Sequence, residues 1–185
     1  MGRYLAIGLV KTAISNKDQL RRADVTVGEW ATAMQLDRHY DPSIFFLSDR
    51  EGSVALTLMD NVIEKQLLQF LEAFYPKFYP HEQEQYIKVL QALRAMPPDE
   101  WMAASRKGIG DIFKADDNPE QENLTFDNNP LYKTVEVKSK CVNLSLEGKL
   151  QTEGIDNHLN FFKYCIHEAF AKYPIAKAIR VYTTG

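Results

Sequence analysis

The sequence predicts an α+β domain: a mostly antiparallel sheet of about five strands, with helices packed on one face. Three observations carry this. Short apolar runs with a two-residue period recur along the chain, segments with a helical period separate them, and the strand-like runs alternate apolar with polar residues, leaving one sheet face wet. The element order is strand, helices, strand, strand, helices, strands, helix, strand. Its first part has the ferredoxin-like order of a split β-α-β unit, an analogy of element order that carries no function.

Tyr4 to Val10, YLAIGLV, is almost unbroken in its apolarity and reads as a central strand near residues 4–10. Ser15 or Asn16 caps a short helix with Asp18 in its first turn. Thr26 and Glu29 have capping-box spacing, and Val27, Trp30, Ala31 and Met34 follow at helical intervals. The stretch Ser43 to Tyr75 then organises the fold. Ile44 to Leu47 and the alternating Val54, Leu56 and Leu58 predict strands near 43–49 and 53–59 around Asp49-Arg50-Glu51-Gly52, where Gly52 supplies the positive φ of a bulged turn. Asp60 is placed as the N-cap of a helix whose apolar face is Ile63, Leu67, Phe70, Leu71 and Phe74, and Pro76 is placed as its stop.

Residues 76–131 read as an excursion from the sheet, helical from Pro80 and then turn-rich, within one domain spanning 1–185. Strands return near 133–147. There Val135 and Val137 differ in phase from Val142, Leu144 and Leu146, so a bulge is expected near Ser139 to Cys141. A helix from about Asp156 to Tyr173 buries Ile155, Leu159, Phe162, Ile166, Ala169 and Tyr173; Pro174 closes it, and a last strand lies near 177–183. Leu67, Phe70, Leu71, Phe74, Leu159, Phe162 and Ile166 are the expected core on the sheet.

Composition narrows the function classes. The net charge of −3 comes from well-mixed acids and bases, without the basic stripe of a nucleic-acid binder. No run approaches ~20 apolar residues, so no membrane association is expected. Cys141 and Cys165 fit neither a disulfide framework nor a zinc spacing, and a reduced, cytoplasmic setting follows.

Two groups of residues are candidate sites. Asp37, His39 and Asp41 alternate, so an extended chain would turn all three to one side, where carboxylates and an imidazole could hold a metal or act as acid and base. The opposing reading is a solvated connection between a helix and a strand. Tyr75, Phe78, Tyr79 and Tyr86, next to Phe74, crowd around Pro76 and Pro80. Aromatics of this kind form docking surfaces, and they also fill corners between helices. His158 and His167 are nine residues apart on one helix and point to opposite sides, so they cannot share a metal; Asn160, Tyr164 and His167 read as a polar rim beside the core. The Gly108-Ile109-Gly110 run lacks the third glycine of a dinucleotide loop. With no catalytic motif legible and no cofactor indicated, the expectation is a non-catalytic interaction or adaptor module, bound to a protein partner or a second copy of itself. The alternative is a small hydrolase or metal-dependent enzyme using Asp37, His39 and Asp41.

Overall fold

The computed structural model describes residues 4–35, 40–78, 91, 95, 113–115, 120–125, 134–144 and 155–184. Its axis is β1 (Tyr4–Asn16), 13 residues long. Strand β2 (Phe45–Arg50) forms a hairpin with β3 (Ser53–Leu58); β4 (Phe113–Ala115), β5 (Glu120–Thr125), β6 (Thr134–Leu144) and β7 (Ile179–Thr184) complete a seven-stranded sheet. One edge of β1 pairs with β6. The other edge is shared, Tyr4–Leu9 with β7 and Thr12–Asn16 with β3. The far edge of β6 is shared in the same way by β4 and β5, while β2 lies outside β3. Among the described residues, seven strands therefore fill five positions, and every pairing is antiparallel, in keeping with the mostly antiparallel sheet that the sequence predicts. β1 and β2 run parallel with β3 between them, which is the expected split unit. β4 and β5 fall within the stretch read from sequence as turn-rich.

An irregularity is present where one was expected, but the extra residue is on the other strand, so the phase change expected within β6 does not occur. Val10 pairs with Cys141 and Thr12 with Lys140, so Lys11 of β1 is the inserted residue while β6 runs through. The need for it is visible in β1: Val10 and Ala13 are both fully buried, a spacing of three that a regular strand cannot turn to one face. Beyond the bulge the face toward the helices is built from Ala13 and Ser15, Val54, Leu56 and Leu58, and Val135, Val137 and Ser139, all buried. Their alternates Thr12, Ile14, Ala55 and Thr57 are partly exposed. Toward β7 both Leu9 and Val10 are buried, which accounts for the unbroken apolar run at the start of the chain.

Helix α1 (Lys17–Arg22) starts at Asn16, whose side chain accepts from the Asp18 N–H at 2.7 Å. Helix α2 (Val27–Gln35) opens with the expected reciprocal cap: the Thr26 N–H donates to Glu29 Oε2 at 2.7 Å, and the Glu29 N–H donates to Thr26 Oγ1 at 3.2 Å. Helix α3 (Asp60–Phe78) begins one residue early, with Asp60 in its first turn and the Met59 carbonyl accepting from Val62 and Ile63. It also continues through Pro76. The missing N–H forfeits one ladder bond, to the Glu72 carbonyl, and the helix runs only two residues further, to Phe78.

Helix α4 (Ile155–Ala169) ends four residues before Tyr173, and Pro174 opens a 3-10 helix, Pro174–Ala178, rather than merely closing the segment. Proline suits that first position because its fixed φ is pre-organised and its N–H is not required. The expected core is in place: Leu67, Phe70, Leu71 and Phe74 of α3 and Phe162 and Ile166 of α4 are buried. Phe74 and Phe162 join the two helices, with ring centroids 6.0 Å apart. The side chain of Leu159 lies outside the described residues.

Candidate functional site

Of the three alternating ligand-type residues, Asp37 and His39 lie outside the described residues. Asp41 lies in the connection entering β2, where its carboxylate is engaged on both oxygens. Oδ1 accepts from the Ser43 N–H and hydroxyl, and Oδ2 is ion-paired with the Lys177 ammonium of the 3-10 helix. Burial alone would push the Asp41 carboxyl up, but the hydrogen bonds from Lys177 and Ser43 and the Lys177 charge outweigh it and hold the group below its ordinary value. The geometry does a structural job: it ties the start of β2 to the segment that feeds β7. Among the described residues no group of three or more His, Cys, Asp or Glu side chains could hold a metal.

Two further polar clusters cross the sheet face under the helices. Trp30 Nε1 donates to Ser15 Oγ at 2.9 Å, and Ser15 Oγ donates to the Glu136 carbonyl at 2.8 Å, joining α2, β1 and β6. Gln19 Nε2 donates to the Glu136 carboxylate at 3.0 Å beside a hollow of about 250 Å³ that Asn16, Gly52 and Lys138 also line. The second cluster centres on Tyr40, which is 1% exposed. Arg180 Nη2 donates to the Tyr40 hydroxyl at 2.7 Å, and that hydroxyl lies 2.8 Å from Ser139 Oγ. The Tyr40 hydroxyl thus accepts from Arg180 and shares a hydrogen bond with Ser139. Both clusters satisfy buried polar atoms, so their first effect is on stability.

The aromatic candidates divide differently. Tyr75 and Phe78 lie in the last turns of α3, with side chains outside the described residues; Tyr79 and Tyr86 are outside altogether. Just ahead of them α3 and α4 enclose a groove of about 170 Å³, floored by Phe70, Phe74, Ala169 and Tyr173 and edged by Glu168 and Lys172. The Phe70 and Phe74 rings are 4.9 Å apart, and Tyr173 meets Phe70 edge-on at 6.1 Å. Cys165, half-buried, lines the groove from α4. Cys165 and Glu168 share a stripe of α4 with Phe161 and Tyr164, at one-turn spacing. Those two are 50% and 62% exposed, the largest exposures among the large apolar side chains described.

Sequence reasoning did not place this pair together. It assigned Phe162 to the core, where it lies, and grouped Tyr164 with Asn160 and His167 as a rim. All three are exposed, with His167 against the Phe170 ring at 5.1 Å. The available signal was Phe161 itself: a phenylalanine on the polar side of an amphipathic helix, three residues before a tyrosine.

Comparison of the chain with protein families, with characterised proteins and with solved structures finds no match. Function must therefore be argued from the surface itself. Among the described residues, no helix is long and apolar enough to cross a membrane.

Proposed function

We propose that this protein is a non-catalytic interaction module of the cytoplasm, and that it docks a protein partner on the surface formed by α3 and α4. The observation that carries the reading is the exposed Phe161–Tyr164 pair beside a groove floored by Phe70 and Phe74. Aromatic anchors next to a small apolar recess are the usual centre of a protein interface. Size favours the same reading over a small-molecule site. A groove of about 170 Å³ is below the roughly 300–1,000 Å³ typical of ligand pockets, and it matches one inserted apolar side chain. Glu168 and Lys172 at its edge supply the polar rim. Tyr75, Phe78, Tyr79 and Tyr86, whose side chains lie outside the described residues, stay candidates for the same docking role on sequence grounds alone. The mixed charge argues against nucleic acid as the partner. The hydrolase alternative rests on Asp37 and His39 and gains nothing from Asp41, whose oxygens are already engaged.

Replacing Phe161 and Tyr164 together by serine tests the reading. Both are exposed, so the melting curve should move by less than about 0.5 kcal/mol, while a protein that co-purifies with the native chain should be lost. Retention of that protein by the double variant overturns the assignment of the surface.

A further inference from the structure

Strand β2 is the outermost strand of its side of the sheet, and among the described residues nothing pairs with its far edge. The hydrogen-bond phase fixes which peptide groups face that edge. The Met59 N–H donates to the Ile44 carbonyl at 2.9 Å. Hydrogen-bonded pairs alternate in an antiparallel ladder, so Phe46 and Ser48 also address β3, and Phe45, Leu47 and Asp49 turn their peptide groups outward. The Phe45 N–H is satisfied locally by the Asp41 carbonyl at 3.0 Å. Leu47 and Asp49 keep theirs for the open edge.

Natural sheets guard such an edge with an inward charge, a proline, a bulge or a covering element. Among the described residues, β2 has none of these at its centre. Its register with β3 is unbroken from Phe45 to Arg50, no proline or lysine interrupts it, and its charges stand at one end, where Asp49 is ion-paired with Lys17 of the same molecule. Instead it presents Phe46, 47% exposed, on one face and Leu47, 45% exposed, on the other.

We propose that β2 is a self-association edge, pairing antiparallel with β2 of a second copy about a two-fold axis at Leu47. Symmetry selects this occupant. With the axis at Leu47, each Leu47 exchanges both peptide hydrogen bonds with Leu47 of the second copy, and the Asp49 N–H meets the Phe45 carbonyl of the second copy. The two exposed leucines then face each other. Phe46 comes opposite Ser48 of the second copy and diagonal to its Phe46, a separation of about 7–8 Å that aromatic rings span. Both exposed apolar side chains are covered by their own equivalents, the outward amides at the centre are paired, and no like charges stand opposite. An axis at Phe46 instead sets Leu47 opposite Phe45, whose side chain is already buried in its own copy, and Asp49 opposite Ser43, which precedes the strand and already donates its N–H to Asp41. The pairing makes one continuous antiparallel sheet through both copies, an isologous contact that closes at two.

The test is sedimentation equilibrium of the full chain across a dilution series, together with oxidation of a Leu47→Cys variant. The native chain should sediment as a dimer that dissociates on dilution, and Leu47→Lys should be monomeric with an unchanged melting curve. On the axis, paired Cα atoms are about 5.5 Å apart, inside the disulfide range. Leu47→Cys should therefore form a 47–47 disulfide between copies, identified by peptide mass, and Asp49→Cys should not form the equivalent one. If Leu47→Lys fails to fold, hydrogen exchange on the native chain decides: protection of the Leu47 and Asp49 amides should rise with protein concentration. A native chain that is monomeric throughout, Leu47 and Asp49 amides whose protection ignores concentration, or equal cross-linking at residues 47 and 49 overturns the proposal. None of these outcomes bears on the α4 surface, which is on a different element.

Discussion

The indole of Trp30 donates to the hydroxyl of Ser15 at 2.9 Å inside the protein, and this bond pins α2 to the middle of the sheet. Trp30 is fully buried and Ser15 is 2% exposed, so neither group has water to fall back on. Ser15 also donates to the Glu136 carbonyl, so one small hydroxyl serves two elements. Ser15→Ala should therefore lower stability by about 1–3 kcal/mol, the cost of stranding a buried polar group. Denaturant melts check this; a loss under about 0.5 kcal/mol would mean that Trp30 finds another acceptor.

Phe70 tests the helix-to-sheet core. It is 1% exposed and touches both Phe74 and Tyr173. Phe70→Ala should cost on the order of 3–5 kcal/mol, read from urea unfolding with an unchanged m-value. A loss below about 1 kcal/mol would show that the α3 face is not packed as described.

Asp41 predicts a pH dependence with a definite sign. Its carboxyl is held below its ordinary value of 3.8. A carboxylate with a lowered folded-state value stabilises the protein fully above its unfolded value, and that contribution disappears as the pH falls through the folded value. The stability difference between the native chain and Asp41→Asn should thus be constant above about pH 5 and shrink on further acidification. A difference that grows in acid would contradict the Lys177–Asp41 ion pair.

How far the sequence revealed this structure depends on the range over which each feature is determined. Capping at Asn16 and Thr26, the turn at Gly52, where φ is +77°, and the buried face of α3 are all set within a few residues, and all were legible. The position of the bulge was legible but not its strand: a phase change was expected in β6, and Lys11 of β1 is the inserted residue instead. The sharing of one β1 edge by β3 and β7 is a tertiary fact with no local signal. At Pro76 and Pro174 the residue rule was wrong about the outcome: a proline disturbs only the turn before it, so Pro174 opens a new turn, and α3 gives up one ladder bond at Pro76 and still runs two residues further. The Tyr40–Ser139–Arg180 cluster joins residues about a hundred or more positions apart, beyond any spacing rule. Exposure of Phe161 and Tyr164 had a local signal, a phenylalanine on the polar side of an amphipathic helix, but the groove beside them depends on how α4 packs against α3.

The reading of this chain as an interaction module is tested most directly by a photo-crosslinking amino acid placed at Tyr164, with Glu64, an exposed residue of α3, as the control position. The predicted result is a discrete protein adduct at 164 and none at 64. Excess native protein should compete that adduct away, and excess Phe161→Ser/Tyr164→Ser protein should not. Equal labelling at the two positions, or equal competition by the native and double-serine proteins, would contradict it.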